Sequence, residues 1–444
     1  MRKILFIFIF WSVFLLNYMA FAEDTSSLFQ VSPLLGRPTH SSITMNLVAG
    51  DEAVIYHLKY GEQGKSGVTS WKQTEDFRID ARSTGEIVLD SLRPGSLYEY
   101  RLFARSIGGK EFQLVTARSF RTQRKGQSPF SFAIVSDSHL TPFDRDIYRL
   151  EILGQVSASI LSRKPEFLFM LGDNIQTFTS HGGPMTEERF GPILYMLLRK
   201  GLEDLPSSVP VFLANGNWEG ENGWHPAREK EWARKARMAF FPNPGEKTYP
   251  EGGSKDEDYY GFVWGDVLCL VLNVTGYTPK GHVLNSRIGE KDDWTLGDRQ
   301  RAWLFQQLSG STARWKLLFI HHTVGGNAGD DMNTRYGRGG GRAASVGEQA
   351  LIHKWMQQYG VQVLFYGHDH VFTDMTVDGI HYTCVGSAGA PWKFTREGPG
   401  LHPATHGWRW ERIPCMSLLS NPARGLLKGK SCIHIRLTKE RIVL

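Results

Sequence analysis

The chain has 444 residues, of which 41% are hydrophobic and 12% aromatic, so it is long enough for more than one globular domain. Its formal net charge of +6 is modest for this length, and the sequence contains no dense run of Lys and Arg. These properties argue against a nucleic acid as the partner.

Residues 1–22 have the three parts of a secretory signal. Arg2 and Lys3 give a positive start, residues 4–16 are apolar, and Ala20-Phe21-Ala22 is a small-x-small cleavage site. A retained membrane anchor is the alternative, but the apolar run is short for a spanning helix. We therefore expect a cleaved signal peptide, an exported mature protein (periplasmic or secreted) and no further membrane span.

Residues 30–122 are predicted to form an all-β sandwich, because short alternating runs are separated by Gly, Ser and Pro turns. A Leu-Arg-Pro stretch at residues 92–94 is followed by Tyr98. This resembles the turn before a late strand of fibronectin type III modules, in which Tyr98 would be the corner tyrosine. The polar segment at residues 121–127 is the predicted linker.

From residue 129 to residue 444 the pattern changes to strands that alternate with helices, which predicts an α/β domain. The predicted strands are residues 130–136, 166–171, 209–214, 267–274, 315–320 and 361–366. The predicted helices are residues 148–163, 298–308 and 347–358. Residues 220–260, rich in Gly, Pro, Trp and charge, are predicted to be a surface excursion. Cys269, inside an apolar run, is predicted to be a buried thiol, and Cys415 with Cys432 is the most plausible disulfide.

Side chains that can bind a metal follow five of these strands. In an open α/β sheet, ligands bind just beyond the carboxyl ends of the strands, so these side chains are expected to meet. Carboxylate, amide oxygen and neutral imidazole are all competent metal ligands. The candidates are Asp137, His139, Asp173, Asn217, His321, His368 and His370.

Seven ligands are too many for one zinc ion, which usually takes four. They suit two metals about 3.5–4 Å apart with one bridging carboxylate, for which Asp173 is the natural candidate. Such a pair binds two oxygens of a phosphoryl group, and a metal-bound hydroxide attacks phosphorus in line. The sequence contains no P-loop motif and no convincing Ser/His/Asp or Cys/His alternative.

The strand-end motifs, over about residues 129–390, resemble the calcineurin-like metallophosphoesterase superfamily. Its pattern is Asp-x-His, Gly-Asp, Gly-Asn-His-Asp/Glu, a later His, and Gly-His-x-His. The N-terminal module and the segments 303–322 and 386–391 resemble the purple acid phosphatase branch. The resemblance implies a sandwich of β-sheets flanked by helices, and hydrolysis of a small-molecule phosphate ester.

Two metal sites follow from the resemblance. It assigns Asp137, His139, Asp173 and His370 to one metal. It assigns Asp173, Asn217, His321 and His368 to the other. It leaves His322 as a contact of the substrate or of the leaving group.

The sequence departs from the purple branch at two positions. Gln176 stands where purple enzymes have a tyrosine, and His139 stands where they have a residue other than histidine. The tyrosine–iron chromophore is therefore expected to be absent. Fe, Mn and Zn all suit the nitrogen and oxygen ligands.

A third departure is Trp218, which replaces the histidine of the Gly-Asn-His motif. Tryptophan has a single N–H donor and cannot deliver a proton, whereas general-acid help is worth about 10²–10⁴ in rate. Either an acid such as His322, His181 or His225 replaces it, or Trp218 forms an aromatic wall for a bulky diester. A third hypothesis is a secreted binding or scaffold protein with a degenerate metal site.

Overall fold

The computed structural model describes residues 28–126, 128–142, 147–177, 188–221, 227–276, 295–322, 347–370, 372–390, 433–437 and 442–443. The predicted signal peptide, His181, His225, Cys415 and Cys432 lie outside these residues. Within the described ranges, no helix combines the length and the apolar character that a membrane crossing needs.

The N-terminal part is a β-sandwich, as predicted. One sheet has the strand order β1-β2-β7, and the other has the order β4-β3-β8-β9, with β5 and β6 also pairing with β3. Residues from both sheets, among them Met45 and Tyr100, bury their side chains in one shared core. The strands are β1 (Leu34–Gly36), β2 (Ile43–Val48), β3 (Val54–Gly64), β4 (Gly67–Val68), β5 (Lys72–Gln73), β6 (Phe77–Ile79), β7 (Thr84–Leu89), β8 (Leu97–Ser106) and β9 (Gln113–Arg121).

Tyr98 occupies the corner position that the sequence predicts. Its hydroxyl accepts a 2.9 Å hydrogen bond from the backbone N–H of Arg93, five residues upstream. A corner tyrosine of a sandwich domain bonds back to the chain in this way. A closer relation to fibronectin type III modules stays a prediction.

The α/β part contains two sheets packed face to face. The five-stranded sheet has the order β12-β11-β10-β19-β20, and the six-stranded sheet has the order β13-β14-β15-β16-β18-β17. The strands are β10 (Phe130–Val135), β11 (Leu168–Met170), β12 (Val211–Leu213), β13 (Tyr260–Trp264), β14 (Val267–Leu272), β15 (Trp315–Ile320), β16 (Val363–Tyr366), β17 (Phe372–Val377), β18 (Ile380–Val385), β19 (Ile433–Leu437) and β20 (Ile442–Val443).

Helices cover the outer faces of this pair of sheets. They are α1 (Ile147–Arg163), α2 (Phe190–Leu202), α3 (Ala227–Phe240), α4 (Gly297–Gly310) and α5 (Gly347–Gln358), with a short 3-10 helix at Leu205–Ser207. Helices α1 and α2 pack on the five-stranded sheet, and α4 and α5 pack on the six-stranded sheet. The predicted sandwich of sheets flanked by helices is confirmed.

Aromatic side chains fill the space between the two sheets. The rings of Phe169 on β11 and Phe319 on β15 stack with their centroids 4.0 Å apart, which joins the sheets directly. Cys269 on β14 is a buried free thiol in the same core, as predicted.

Because β10, β11 and β12 run parallel, and β14, β15 and β16 do so too, each sheet presents several carboxyl ends at one edge.

Polar contacts join the sandwich to the α/β part. Arg199 on α2 is buried and donates to the carbonyl oxygens of Ser32 and Asn46, at 2.7 and 3.1 Å. The hydroxyl of Tyr100 donates a 2.7 Å hydrogen bond to the carbonyl of Ser207. The two parts therefore share buried hydrogen bonds, and the boundaries 30–122 and 129–444 stay predictions.

The prediction of a surface excursion at residues 220–260 is wrong. Helix α3 lies in this stretch and buries Trp232 and Ala236 against the molecule. Arg237 on the same helix is also buried, because Glu221 pairs with it at 2.6 Å. The many charged residues of this stretch suggested a solvent-exposed segment. Several of these charges are instead paired inside the fold, beside the apolar face of the helix.

Candidate metal centre

The structure brings the predicted ligands from both sheets to one place. Those from the five-stranded sheet follow β10, β11 and β12, and those from the six-stranded sheet follow β15 and β16. All of them except the half-buried Asn217 are buried. They are Asp137, His139, Asp173, Asn217, His321, His368 and His370.

The first cluster consists of Asp137, His139, Asp173 and His370, with one possible ligand atom of each within 4.8 Å of the others. Nε2 of His139 lies 3.5 Å from Oδ1 of Asp137 and 3.4 Å from Oδ2 of Asp173. Nε2 of His370 lies 3.2 Å from Oδ1 of Asp137 and 3.0 Å from Nε2 of His139. This is the set that the resemblance assigns to one metal.

The second cluster consists of His321, His322 and His368, again within 4.8 Å of one another. Nδ1 of His368 lies 3.2 Å from Nε2 of His321, which in turn lies 3.1 Å from Oδ2 of Asp173. The ring of His322 is 4.2 Å from that of His368, centroid to centroid. The sequence predicts His322 as a substrate contact, and the structure places it beside the candidate ligands His321 and His368.

In both Asp137 and Asp173, one carboxylate oxygen accepts a backbone hydrogen bond and the other faces the imidazoles. Oδ2 of Asp137 accepts from the N–H of His368 at 2.8 Å, and Oδ1 of Asp173 accepts from the N–H of Trp218 at 2.9 Å. Their other oxygens are buried, face imidazole nitrogens and accept no hydrogen bond within the described part of the chain. Such oxygens are costly to bury without a cation, so the donor set fits bound metal ions.

Charge keeps this cluster ionised despite its burial. Burial opposes ionisation of Asp137, but the imidazoles of His370, His139 and His321 together outweigh it and lower the pKa of Asp137. For His321, burial favours the neutral form, but the carboxylates of Asp173, Asp137 and Glu219 together outweigh it and raise the pKa to about 9. Metal ligation needs the neutral imidazole, so a metal would displace the protons that these histidines hold.

Five of the candidate ligands have backbone conformations that are rare outside glycine. Their φ angles are positive, a region that costs a residue with a side chain about 1–2 kcal/mol. Strain of this kind concentrates at functional sites. The positive φ angles turn side chains that are two residues apart in the sequence towards one point. The angles are 57° for Asp137, 48° for His139, 50° for Asp173, 72° for His368 and 56° for His370.

Glycines allow the loops to approach the carboxylates. A Cβ on Gly367 would lie 2.1 Å from Oγ of Ser136 and 2.8 Å from Oδ2 of Asp137. A Cβ on Gly216 would lie 2.3 Å from Oδ1 of Asp173. These are closer than real Cβ contacts, so only glycine fits the observed backbone at these two positions.

Glu219 belongs to the site, although it is not one of the residues predicted from the sequence. Its buried carboxylate accepts hydrogen bonds from the backbone N–H groups of Asp173, Asn174 and Gly216. Burial and the charge of Asp173 raise its pKa to about 7. The signal was present in the family pattern, which has Asp or Glu at this position.

Trp218 stands at the side of the first cluster. Its ring is half-buried and meets the ring of His139 edge-on, with centroids 5.7 Å apart.

Gln176, at the position of the purple-branch tyrosine, accepts a 3.4 Å hydrogen bond from Arg149, which also donates to the carbonyl of His139 at 2.7 Å. Position 176 therefore supports the loop of His139 through Arg149.

Comparison with known proteins gives both a family and a fold. The family model of the calcineurin-like phosphoesterases matches residues 130–372. A solved structure of PhoD has a TM-score of 0.62 and 14% identity, over 83% of this chain and 78% of that one. Purple acid phosphatase PPD1 from yellow lupin (Lupinus luteus) seeds has a TM-score of 0.59 and 14% identity, over 91% of this chain and 69% of that one. No curated protein sequence matches the chain.

The two structural likenesses show that the chain has the fold of these two proteins. The family model covers more than half of the chain and includes every candidate ligand from Asp137 to His370. The chain belongs to the calcineurin-like phosphoesterase family, and it is a phosphoester hydrolase.

Proposed function

We propose that this chain is an exported phosphoesterase with a binuclear metal centre, which hydrolyses phosphate mono- or diesters of small molecules. One observation carries the proposal. Oδ2 of Asp173 lies 3.4 Å from Nε2 of His139 and 3.1 Å from Nε2 of His321. A single buried oxygen thus faces a ligand of each cluster, which is the arrangement that a bridging carboxylate needs.

Each metal has a proposed set of ligands. The first ion would be held by Asp137, His139, Asp173 and His370. The second would be held by Asp173, Asn217, His321 and His368, and Fe, Mn and Zn all suit these donors. Nδ1 of His321 lies 2.7 Å from the carbonyl of Leu171, and donation to that carbonyl leaves Nε2 for the metal. Bound metal ions would supply Lewis acidity towards water and the phosphoryl group.

Two further residues are proposed to act on the substrate. His322 is a member of the second cluster, where its imidazole could give a proton to the leaving oxygen. The ring of Trp218 lies beside the first cluster and would form one wall of the substrate pocket. A flat apolar wall favours an ester with a bulky or aromatic group.

A second candidate function is a secreted binding or scaffold protein that retains metal and turns over slowly. Trp218 is the observation that favours it, because tryptophan supplies no proton to a leaving group.

Hydrolysis of p-nitrophenyl phosphate and of its bis ester, measured with metal content in one preparation, separates the two functions. We expect two metals per chain with turnover of at least one ester. Two metals without turnover of either ester would support the scaffold. Failure to bind metal after reconstitution would contradict the enzyme mechanism and leave a scaffold protein.

Export is proposed from the signal-like composition of residues 1–22. N-terminal sequencing of the protein recovered from its native host tests this directly. Cleavage after Ala22 would leave a mature chain that begins at Glu23. A chain that still carries residues 1–22 in the cell membrane would show a retained anchor instead.

A further inference from the structure

Glu219 ties together two loops that carry candidate ligands. One of its carboxylate oxygens accepts from the N–H groups of Asp173 at 3.0 Å and Gly216 at 2.7 Å. The other accepts from the backbone N–H of Asn174 at 2.8 Å and from its side-chain amide at 3.4 Å. The loop after β11 and the loop after β12 therefore meet on one carboxylate, which is 2% exposed.

The backbone around Asp173 explains why a carboxylate is needed here. Asp173 has a φ of 50°, so its own N–H and that of Asn174 point to one place. Successive N–H groups in such a conformation form a concave site for an anion. A carboxylate can accept at both of its oxygens, whereas an amide of the same shape accepts at only one.

We propose that Glu219 is a positioning residue for the metal centre. Its carboxylate holds Asp173 and the loop of Asn217 at the spacing that two ions require. This inference rests on the proposed function, since it assigns Glu219 a role towards the proposed metals. The N–H of Asp173 is held by Glu219, and its Oδ1 is held by the N–H of Trp218. Its Oδ2 is thereby directed towards both clusters.

Glu221 provides a matched control in the same loop. It is also a buried carboxylate, but it pairs with Arg237 on α3, with Oε1 2.6 Å from Nε and Oε2 3.1 Å from Nη2. Loss of Glu221 should therefore weaken the fold without moving the ligands. A comparison of the two residues separates positioning of the metals from simple support of the structure.

The experiment measures Mn²⁺ binding to the metal-free forms of wild type, Glu219→Gln and Glu221→Gln by titration calorimetry, with the melting temperature of each metal-free form. In Glu219→Gln, the amide N–H groups would face backbone N–H donors, so the loops would move apart. We expect its Mn²⁺ affinity to fall by about 10–100-fold, the usual effect of losing a residue that orients metal ligands. Glu221→Gln should melt lower than wild type but bind Mn²⁺ with unchanged affinity.

Unchanged affinity in Glu219→Gln, or an equal loss in both variants, would overturn the inference. If Glu219→Gln does not fold, Glu219→Asp replaces it, because aspartate keeps both acceptors on a side chain that is one methylene shorter. Weaker Mn²⁺ binding by the folded aspartate variant supports the inference, and wild-type binding overturns it. Wild-type protein that binds none of Mn²⁺, Zn²⁺ and Fe²⁺ would overturn the proposed function as well.

Discussion

The backbone N–H of Trp218 donates a 2.9 Å hydrogen bond to Oδ1 of Asp173, the carboxylate that faces both clusters. The main chain at position 218 therefore supports the site whatever side chain stands there. The side chain lies beside His139, with ring centroids 5.7 Å apart. Replacement of the family's histidine by tryptophan thus changes the chemistry next to the ligands and leaves the support of Asp173 in place.

Trp218→His should restore general-acid help without changing metal content. We expect kcat on alkyl phosphate esters, whose leaving groups need a proton, to rise by up to about 10²–10⁴-fold. Aryl esters should gain much less, because their leaving groups depart without protonation. Steady-state kinetics on both classes checks this, with Trp218→Phe as the control that removes the indole and adds no acid. An equal change on both classes would contradict a lost acid.

Gly367→Ala should lower metal affinity, because its Cβ would lie 2.1 Å from Oγ of Ser136 and 2.8 Å from Oδ2 of Asp137. The loop that carries His368 and His370 would have to shift away from Asp137. Metal content by mass spectrometry and the Kd for Mn²⁺ measure the effect. Gly310→Ala is the matched control, since a Cβ there has no atom within 4 Å. Equal metal binding by the two variants would show that the loop moves freely.

Metal binding should depend on pH through His321. Its pKa is raised from 6.5 to about 9 because Asp173, with Asp137 and Glu219, outweighs the effect of burial. The protonated imidazole therefore stabilises the metal-free fold fully below pH 6.5, and this contribution is lost as the pH rises through about 9. Over the same window the Kd for Mn²⁺ should fall, because a metal then displaces fewer protons.

Melting temperatures of the metal-free protein and Mn²⁺ titrations between pH 6 and pH 10 test this account. In His321→Gln, the melting temperature and the Kd for Mn²⁺ should both depend less on pH than in wild type. A metal-free protein that becomes more stable across the window, together with a Kd that does not change, would contradict the assignment.

Arg199→Ala should destabilise the joint between the sandwich and the α/β part. The guanidinium is buried and donates to Ser32 and Asn46, so its loss leaves buried acceptors unpaired, at a cost of about 3 kcal/mol or more in unfolding free energy. Arg118→Ala is the control at the same joint. Arg118 pairs with Asp204, and both side chains are partly exposed, so its loss should cost less than about 1 kcal/mol. Denaturant unfolding measures both, and similar costs would contradict the role of Arg199.

The sequence predicted which residues gather at the site because their signal is local, and their role as ligands stays a prediction. Asp137, Asp173 and His321 each follow an apolar run that ends abruptly in polar residues, and strand ends in an α/β fold gather at a sheet edge. The same local logic predicted helices α1 and α5 to within one residue at each end. Tyr98 was also found in its expected corner, because the turn before it has a short sequence signature.

Features that depend on distant parts of the chain were missed. Strand β19 pairs antiparallel with β10, which lies about three hundred residues before it in the sequence, and no short sequence motif predicts that pairing. Helix α3 was hidden because charges such as Arg237 find partners only in the folded protein. The place of His322 beside His368 depends on how two strand ends meet, which spacing along the chain does not give.

The most direct test of the central claim is anomalous diffraction from crystals of the Mn²⁺-loaded protein. We predict two peaks about 3.5–4 Å apart on either side of Oδ2 of Asp173. One peak should lie against His139 and His370, and the other against His321 and His368. A single peak, or peaks away from Asp173, would contradict the binuclear centre.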